Sequence, residues 1–171
     1  MEAYVLHIYF FTGALALSVG LTPLIIRLSR KLRLFDTPNS RKLHTGPISR
    51  LGGLSIFLSF TIPFIVYLVL TRGTRRLPFD PELYLAALAL AFVLGFADDF
   101  KHIRARYKLC MQVVVGLLAA LSDLQITKFT FFDLFTINFG PFSYVLTVIW
   151  ILVFMNAINL VDGMDGLAGS M

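Results

Sequence analysis

The stretch LYLAALALAFVLGFADDFK, Leu83 to Lys101, runs through fifteen uncharged residues and then meets two adjacent aspartates. A helix on the surface of a soluble protein would show a polar position every three or four residues. None occurs here before Asp98, so the run is apolar all round and belongs in hydrocarbon. Fifteen residues rise only about 22 Å as a helix, short of a ~30 Å hydrocarbon core. Either the helix extends into its polar flanks or the flanking charges lie close to the membrane. Both readings put Asp98 and Asp99 at or just inside the interface, at the depth of lipid phosphates.

The rest of the 171 residues carries the same signature. Hydrophobic residues make up 57% and charged residues 15%, against about 25% charged in a soluble domain. Five apolar segments stand out: residues 5–26, 51–70, 83–97, 109–121 and 139–161. The expectation is an all-α integral membrane protein with about five transmembrane helices, residues 1–171 forming one membrane domain. Segment 5–26 lacks the basic start of a signal peptide and exceeds a typical h-region, so it reads as a retained span. Pro63 falls inside segment 51–70, which membrane helices tolerate. Cys110 is the single cysteine, so no disulfide forms within the chain. Between the last two segments, QITKFTFFDLFTINFG alternates Thr, Phe and Ile. It reads as a short β-hairpin on the outer face turning near Asp133, or as a re-entrant or interfacial segment.

Lys and Arg placement sets the orientation. Seven lie between Arg27 and Arg50, and four more between Asp98 and Lys108 (Lys101, Arg104, Arg106, Lys108). The alternate loops hold Arg72, Arg75, Arg76 and Lys128. Eleven against four predicts an amino terminus outside and the loops after the first and third spans in the cytoplasm. The arginines of RGTRRLPFD run against this trend.

Three polar clusters then share the cytoplasmic side. In DTPNSRKLHTGPISRLGG, Asp36 to Gly53, prolines and glycines rule out a long helix. Arg41, Lys42, His44 and Arg50 are donors suited to phosphate, although a positive-inside loop touching headgroups would look the same. Gly52-Gly53 allows a turn or a close backbone approach. In GFADDFKHIRARYK, Asp98 and Asp99 repel each other unless a cation or basic partners stand near. Two hard oxygen donors suit Mg²⁺, which fills its shell with water and substrate phosphate; Lys101, Arg104 and Arg106 would neutralise a purely structural pair. The third cluster, NAINLVDGMDGLAGSM, spaces Asn156, Asn159, Asp162 and Asp165 three apart. Each step drifts about 60° round a helix, so the four sweep half its circumference and cannot form one metal cage. EF-hand spacing is absent. Asparagines gluing helices and glycines packing them explain part of the cluster, but not its two aspartates.

In order along the chain, D-x-P-x-x-R-K-x-H-x-x-P-x-x-R-x-G-G at Asp36–Gly53, Asp98-Asp99 after Phe96, and N-x-x-N-x-x-D-G-x-D-G-L-A at Asn156–Ala168 resemble the polyprenyl-phosphate N-acetylhexosamine-1-phosphate transferase family. The R-K-x-H run is closer to the branch using undecaprenyl phosphate and UDP-N-acetylglucosamine than to the muramoyl-pentapeptide transferases. Ser49 departs from a proline common in that branch. The resemblance implies transfer of a sugar 1-phosphate from a UDP-sugar to polyprenyl phosphate at the cytoplasmic face of the inner (plasma) membrane, releasing UMP, in cell-wall biogenesis. It implies Mg²⁺, or Mn²⁺, held by Asp98, Asp99 and Asp162, the three expected catalytic carboxylates. Arg41, Lys42, His44, Arg50, Asn159, Gly163 and Asp165 are then substrate-binding candidates, with Asn159 and Asp162 near the diphosphate, and Asp165 and the Gly163 backbone near the uridine.

Family members run to about twice this length, with a further metal-binding aspartate and a histidine-rich loop in their later half, so the chain resembles an amino-terminal half, apparently truncated. The expected partners are the UDP-sugar, polyprenyl phosphate and the bilayer, with no nucleic acid; a homo-oligomer stays open. Two rival readings are a non-catalytic lipid-binding remnant and a transporter or channel fragment. The latter predicts acids deep within spans, yet all ten lie at span ends or in loops.

Overall fold

The structure is a computed structural model and describes residues 2–36, 48–49, 51–71, 77–101, 103–132 and 134–162. The chain divides into two compact units, Met1–Arg76 and Leu77–Met171, each described in its own right. Five helices occupy the five apolar segments, making an all-α membrane protein with a small hairpin. Four of the helices are long and apolar enough to cross a membrane.

In the first unit α1 spans Glu2–Leu32, with Pro23 inside it, and α2 spans Gly52–Thr71 around Pro63. The two helices pack on each other. Phe10 meets Phe60, Phe64 and Tyr67 edge-on at ring separations of 5.8, 6.3 and 6.4 Å, a geometry that aromatic quadrupoles favour. A Thr22–Ser55 hydroxyl bond of 2.9 Å links the same helices, the kind of polar contact that joins helices in lipid. Helix α1 runs six residues beyond the expected 26 because Arg30 and Lys31 are good helix formers. They sit in its last turn, where cations suit the helix dipole. Arg33, at φ 56°, ends it. A two-residue pairing follows, β1 (Phe35–Asp36) against β2 (Ile48–Ser49), antiparallel with Phe35 opposite Ser49. The Ser49 hydroxyl then accepts the Leu51 N–H at 3.2 Å on entry to α2. A Cβ added at Gly52 or Gly53 would meet nothing within 4 Å, so neither glycine makes a close approach among the described residues.

In the second unit α3 spans Pro81–Lys101, α4 Ala105–Leu121 and α5 Phe142–Asp162. Asp80 caps α3, its Oδ1 accepting the N–H groups of Glu82 (2.9 Å) and Leu83 (3.2 Å), while Pro81 occupies a first-turn position that needs no donor. At 21 residues α3 reaches spanning length by continuing through Asp98 and Asp99, which decides between the two readings of its short apolar run. Helix α4 stays short at 17 residues, about 25 Å of rise, and is the helix outside the set of four. Helix α4 packs against both α3 and α5.

Along α4, Gln112, Gly116 and Ala120 recur every fourth residue and are buried. A Cβ at Gly116 would lie 3.2 Å from both Cα and Cγ1 of Val148 on α5, so glycine lets the two backbones approach. A Gly116→Leu substitution is therefore expected to cost about 1–3 kcal/mol through overpacking, read as a lower Tm of detergent-purified protein. Gly95→Ala is the control, since its Cβ meets nothing within 4 Å and alanine is the better helix former. An unchanged Tm for Gly116→Leu would contradict this packing.

The expected hairpin is present as β3 (Lys128–Phe131) and β4 (Phe135–Asn138); Asp133, at its predicted turn, lies outside the described residues. Its register pairs Phe129 with Ile137 and Phe131 with Phe135, and, on the alternate positions, Lys128 with Asn138 and Thr130 with Thr136. Strand alternation thus gives one apolar face and one polar face. Polar side chains anchor its base: Ser143 donates to Gln125 Oε1 at 2.7 Å, and Thr147 Oγ1 accepts the Ile126 N–H at 2.9 Å.

Candidate functional site

Helices α3, α4 and α5 run up, down and up, so the carboxyl ends of α3 and α5 lie at the same end of the second unit as the amino end of α4. Two polar contacts hold that end together. Asp98 Oδ1 accepts the Ile103 N–H across the α3–α4 turn at 2.9 Å, and Oδ2 accepts Lys108 Nζ at 2.5 Å. The paired side chains are 16% (Lys108) and 20% (Asp98) exposed, so water screens this ion pair less than a surface one. One turn further along α4, Gln112 is 2% exposed and meets Asn156 of α5. Asn156 Nδ2 donates to Gln112 Oε1 at 2.9 Å and to the Leu152 carbonyl at 2.8 Å, and Gln112 Nε2 donates back to Asn156 Oδ1 at 3.4 Å.

The adjacent aspartates diverge as a helix requires, about 100° apart. Asp98 faces α4, whereas Asp99 is exposed. On α5, Asn159 is exposed and Asp162 is the last residue described. Gly163 and Asp165 follow outside the described residues, as do Arg41, Lys42, His44 and Arg50. The structure thus brings together Asp98, Asp99, Asn159 and the Asp162 backbone position at one end of one unit. Among the described residues no group of three or more His, Cys, Asp or Glu side chains is gathered to hold a metal ion. The donor set still fits a hard cation that keeps much of its water: carboxylate and amide oxygens at a water-accessible helix end.

Sequence reading passed over Lys108 and Gln112. Lys108 counted only as a topology charge, and Gln112 lay inside the apolar run 109–121. The signal available was their spacing: two polar residues four apart on α4 lie on one face.

An all-α membrane protein with acidic helix ends gathered at one end of a three-helix unit is the class that fold and geometry define. The sequence matches the glycosyl transferase family 4 model over residues 82–171, which takes in α3, α4 and α5. It is 32% identical over 158 residues to a probable undecaprenyl-phosphate N-acetylglucosaminyl 1-phosphate transferase of Bacillus subtilis (strain 168), covering 88% of this chain and 41% of that protein. The undecaprenyl-phosphate alpha-N-acetylglucosaminyl 1-phosphate transferase of Yersinia pestis is 32% identical over 147 residues, covering 85% of this chain and 38% of its own length. Its Escherichia coli (strain K12) counterpart is 31% identical over 149 residues, with the same two shares, 85% and 38%. No solved structure matches the chain. The chain belongs to glycosyl transferase family 4, and the resemblance carried by its three polar motifs is borne out. It spans about 40% of the length of the curated relatives it matches.

Proposed function

We propose that the acidic helix ends of this chain serve the transfer of a sugar 1-phosphate, N-acetylglucosamine 1-phosphate by likeness to the named relatives, from a UDP-sugar to polyprenyl phosphate. The observation that carries this is the placement of Asp98, Asp99 and the end of α5 at one end of a membrane unit by the Asp98–Lys108 and Gln112–Asn156 contacts. In the reaction, an oxygen of the lipid phosphate attacks the β-phosphorus of the UDP-sugar. A new P–O bond forms and the bond from that phosphorus to the bridging oxygen breaks. The electron pair leaves with UMP, and the product is a lipid diphosphate sugar.

Such transfer depends on positioning and on neutralising phosphate charge. Bound Mg²⁺ (Mn²⁺ as substitute) would supply charge neutralisation and a template for the diphosphate. Asp98, Asp99 and Asp162 are the carboxylates proposed to hold it, with Asp98 braced by Lys108 and set to orient the incoming lipid phosphate. Asn159 is assigned to the diphosphate, and Asp165 with the Gly163 backbone to the uridine. Arg41, Lys42, His44 and Arg50 are assigned to phosphate.

The test is direct. A protein of full family length carrying these residues should move radiolabel from the sugar of UDP-N-acetylglucosamine into an organic-extractable lipid, releasing one UMP per sugar. Label that stays in the aqueous phase in the presence of polyprenyl phosphate and Mg²⁺ would sink the proposal.

The proposed face is the cytoplasmic side of the plasma membrane, with the amino terminus and the β3–β4 hairpin outside. In a Cys110→Ser background, which removes the chain's exposed native thiol, Asn39→Cys should resist a membrane-impermeant thiol reagent in intact cells. Phe132→Cys, at the hairpin tip and 84% exposed, should react. The opposite pattern inverts the topology.

A further inference from the structure

We propose that the β3–β4 hairpin is a lipid-docking element, its apolar face seated at the headgroup–acyl boundary of the leaflet opposite the acidic helix ends. Height, the closure of its polar base and the make-up of its two faces point the same way.

Helix α4 starts at the end where Asp98 sits and has 17 residues, a rise of about 25 Å against a ~30 Å hydrocarbon core. With its amino end at one boundary, its carboxyl end stops about 5 Å inside the other. Any tilt stops it deeper. Residues 122–127 then lead straight into β3, so the hairpin starts from the membrane edge rather than from open water.

The polar groups at its base are closed inward. Ser122 Oγ donates to the Ala119 carbonyl at 2.7 Å, and Gln125 Nε2 to the Ala120 carbonyl at 3.1 Å. Thr147 Oγ1 donates to the Ser143 carbonyl at 2.7 Å, and Ser122, Ser143 and Thr147 are all buried. With the Ser143–Gln125 and Thr147–Ile126 bonds, these contacts satisfy the base from within, as a water-poor depth requires. They also tie the hairpin to the ends of α4 and α5.

Every residue of both strands is exposed, although a lone two-stranded hairpin is marginal in water. Phe129, Phe131, Phe135 and Ile137 make one face, with the Phe131 and Phe135 rings stacked across the strands at 5.6 Å. Lys128, Thr130, Thr136 and Asn138 make the other, where the two threonine hydroxyls meet at 3.1 Å. An amphipathic surface of this kind fits the boundary, with aromatic rings toward acyl chains and the Lys128 ammonium among lipid phosphates. Open strand edges are not tolerated in hydrocarbon, which keeps the ladder flat at the boundary instead of inserted. The chain then enters α5, a helix of spanning length, through an exposed apolar row of Phe142, Val145 and Ile149. The hairpin thus brings aromatic side chains to the boundary that α4 does not reach. This holds whichever side of the membrane the acidic ends face, and whether or not the protein transfers sugar phosphate.

The test uses a protein of full family length carrying these residues and free of other cysteines, reconstituted in vesicles of phosphatidylethanolamine and phosphatidylglycerol. Nitroxide labels are placed singly at Phe129→Cys, Phe131→Cys and Ile137→Cys on one face, and at Thr130→Cys and Thr136→Cys on the other. All five sites are exposed, so the substitutions leave the packed interior intact. Collisions with oxygen, which concentrates in acyl chains, should dominate at the first three. Collisions with a water-soluble nickel chelate should dominate at the two threonine positions, so the ratio alternates along β3 with the period of a strand. Phe132, in the turn beyond the ladder, stays within reach of water-borne reagents. Dominance of the nickel chelate on both faces would place the hairpin in water and overturn the proposal. Oxygen dominance on both faces would sink the ladder into hydrocarbon and contradict the boundary placement. Few collisions with either reagent at Phe131 and Ile137 would show that protein covers this face, whether a second copy or a later part of the full-length chain, and would overturn it equally.

Discussion

Replacing Asp99 by Asn in a protein of full family length should cut sugar 1-phosphate transfer by at least about a hundredfold, the scale expected when one preorganised electrostatic group is removed from the transition state. Asparagine keeps the size and removes the charge, so the fold has little reason to change. Asp99 is exposed at the end of α3, where its carboxylate is assigned to metal and diphosphate. Asp123→Asn is the matching control. Asp123 is exposed at φ 65° beyond the far end of α4, a left-handed conformation that asparagine also adopts readily. Its variant should retain full activity. Wild-type rates in Asp99→Asn would assign the Asp98-Asp99 pair to structure.

Removing divalent cations should have the largest effect of all. Neutralising a diphosphate and an attacking phosphate monoester with arginine and lysine alone leaves net negative charge at the reacting centre, and a divalent ion contributes several kcal/mol there. In excess EDTA the transfer rate should fall to background. Added Mg²⁺ should restore it fully and Mn²⁺ in part, because both accept oxygen ligands in octahedral geometry. An undiminished rate in EDTA would remove the metal from the proposal and leave phosphate neutralisation to the basic residues.

Much of this architecture was legible in the sequence because hydrocarbon imposes a simple demand: every backbone group must bond internally. Apolar length therefore located all five helices. Charge proved a poor guide to where they end. Asp98, Asp99 and Lys101 continue α3, and Arg30 and Lys31 continue α1, because charged residues at a membrane face are compatible with a helix. The β3–β4 hairpin was visible through its alternation of Thr and Phe. The β1–β2 pairing was not, since two residues per strand carry no periodicity and their pairing depends on where α1 ends and α2 begins.

The site was legible as motif and illegible as geometry. Asp98-Asp99 stands out in any reading, yet which aspartate faces α4 follows from helical phase, and only the packing of α3 on α4 fixes that. Lys108 was hidden among loop charges. Gln112 was hidden inside an apolar run, although a lone amide in such a run needs a partner when buried, and Asn156 supplies it.

The central claim, that these helix ends join a lipid phosphate to the β-phosphate of a UDP-sugar, is tested most directly by the reverse exchange. Labelled UMP, unlabelled UDP-N-acetylglucosamine, polyprenyl phosphate and Mg²⁺ are incubated with the full-length protein and with its Asp99→Asn variant. Label should enter the UDP-sugar only when polyprenyl phosphate is present, and should be lost at least about a hundredfold in the variant. Exchange that proceeds without the lipid, or that survives in Asp99→Asn, would contradict it.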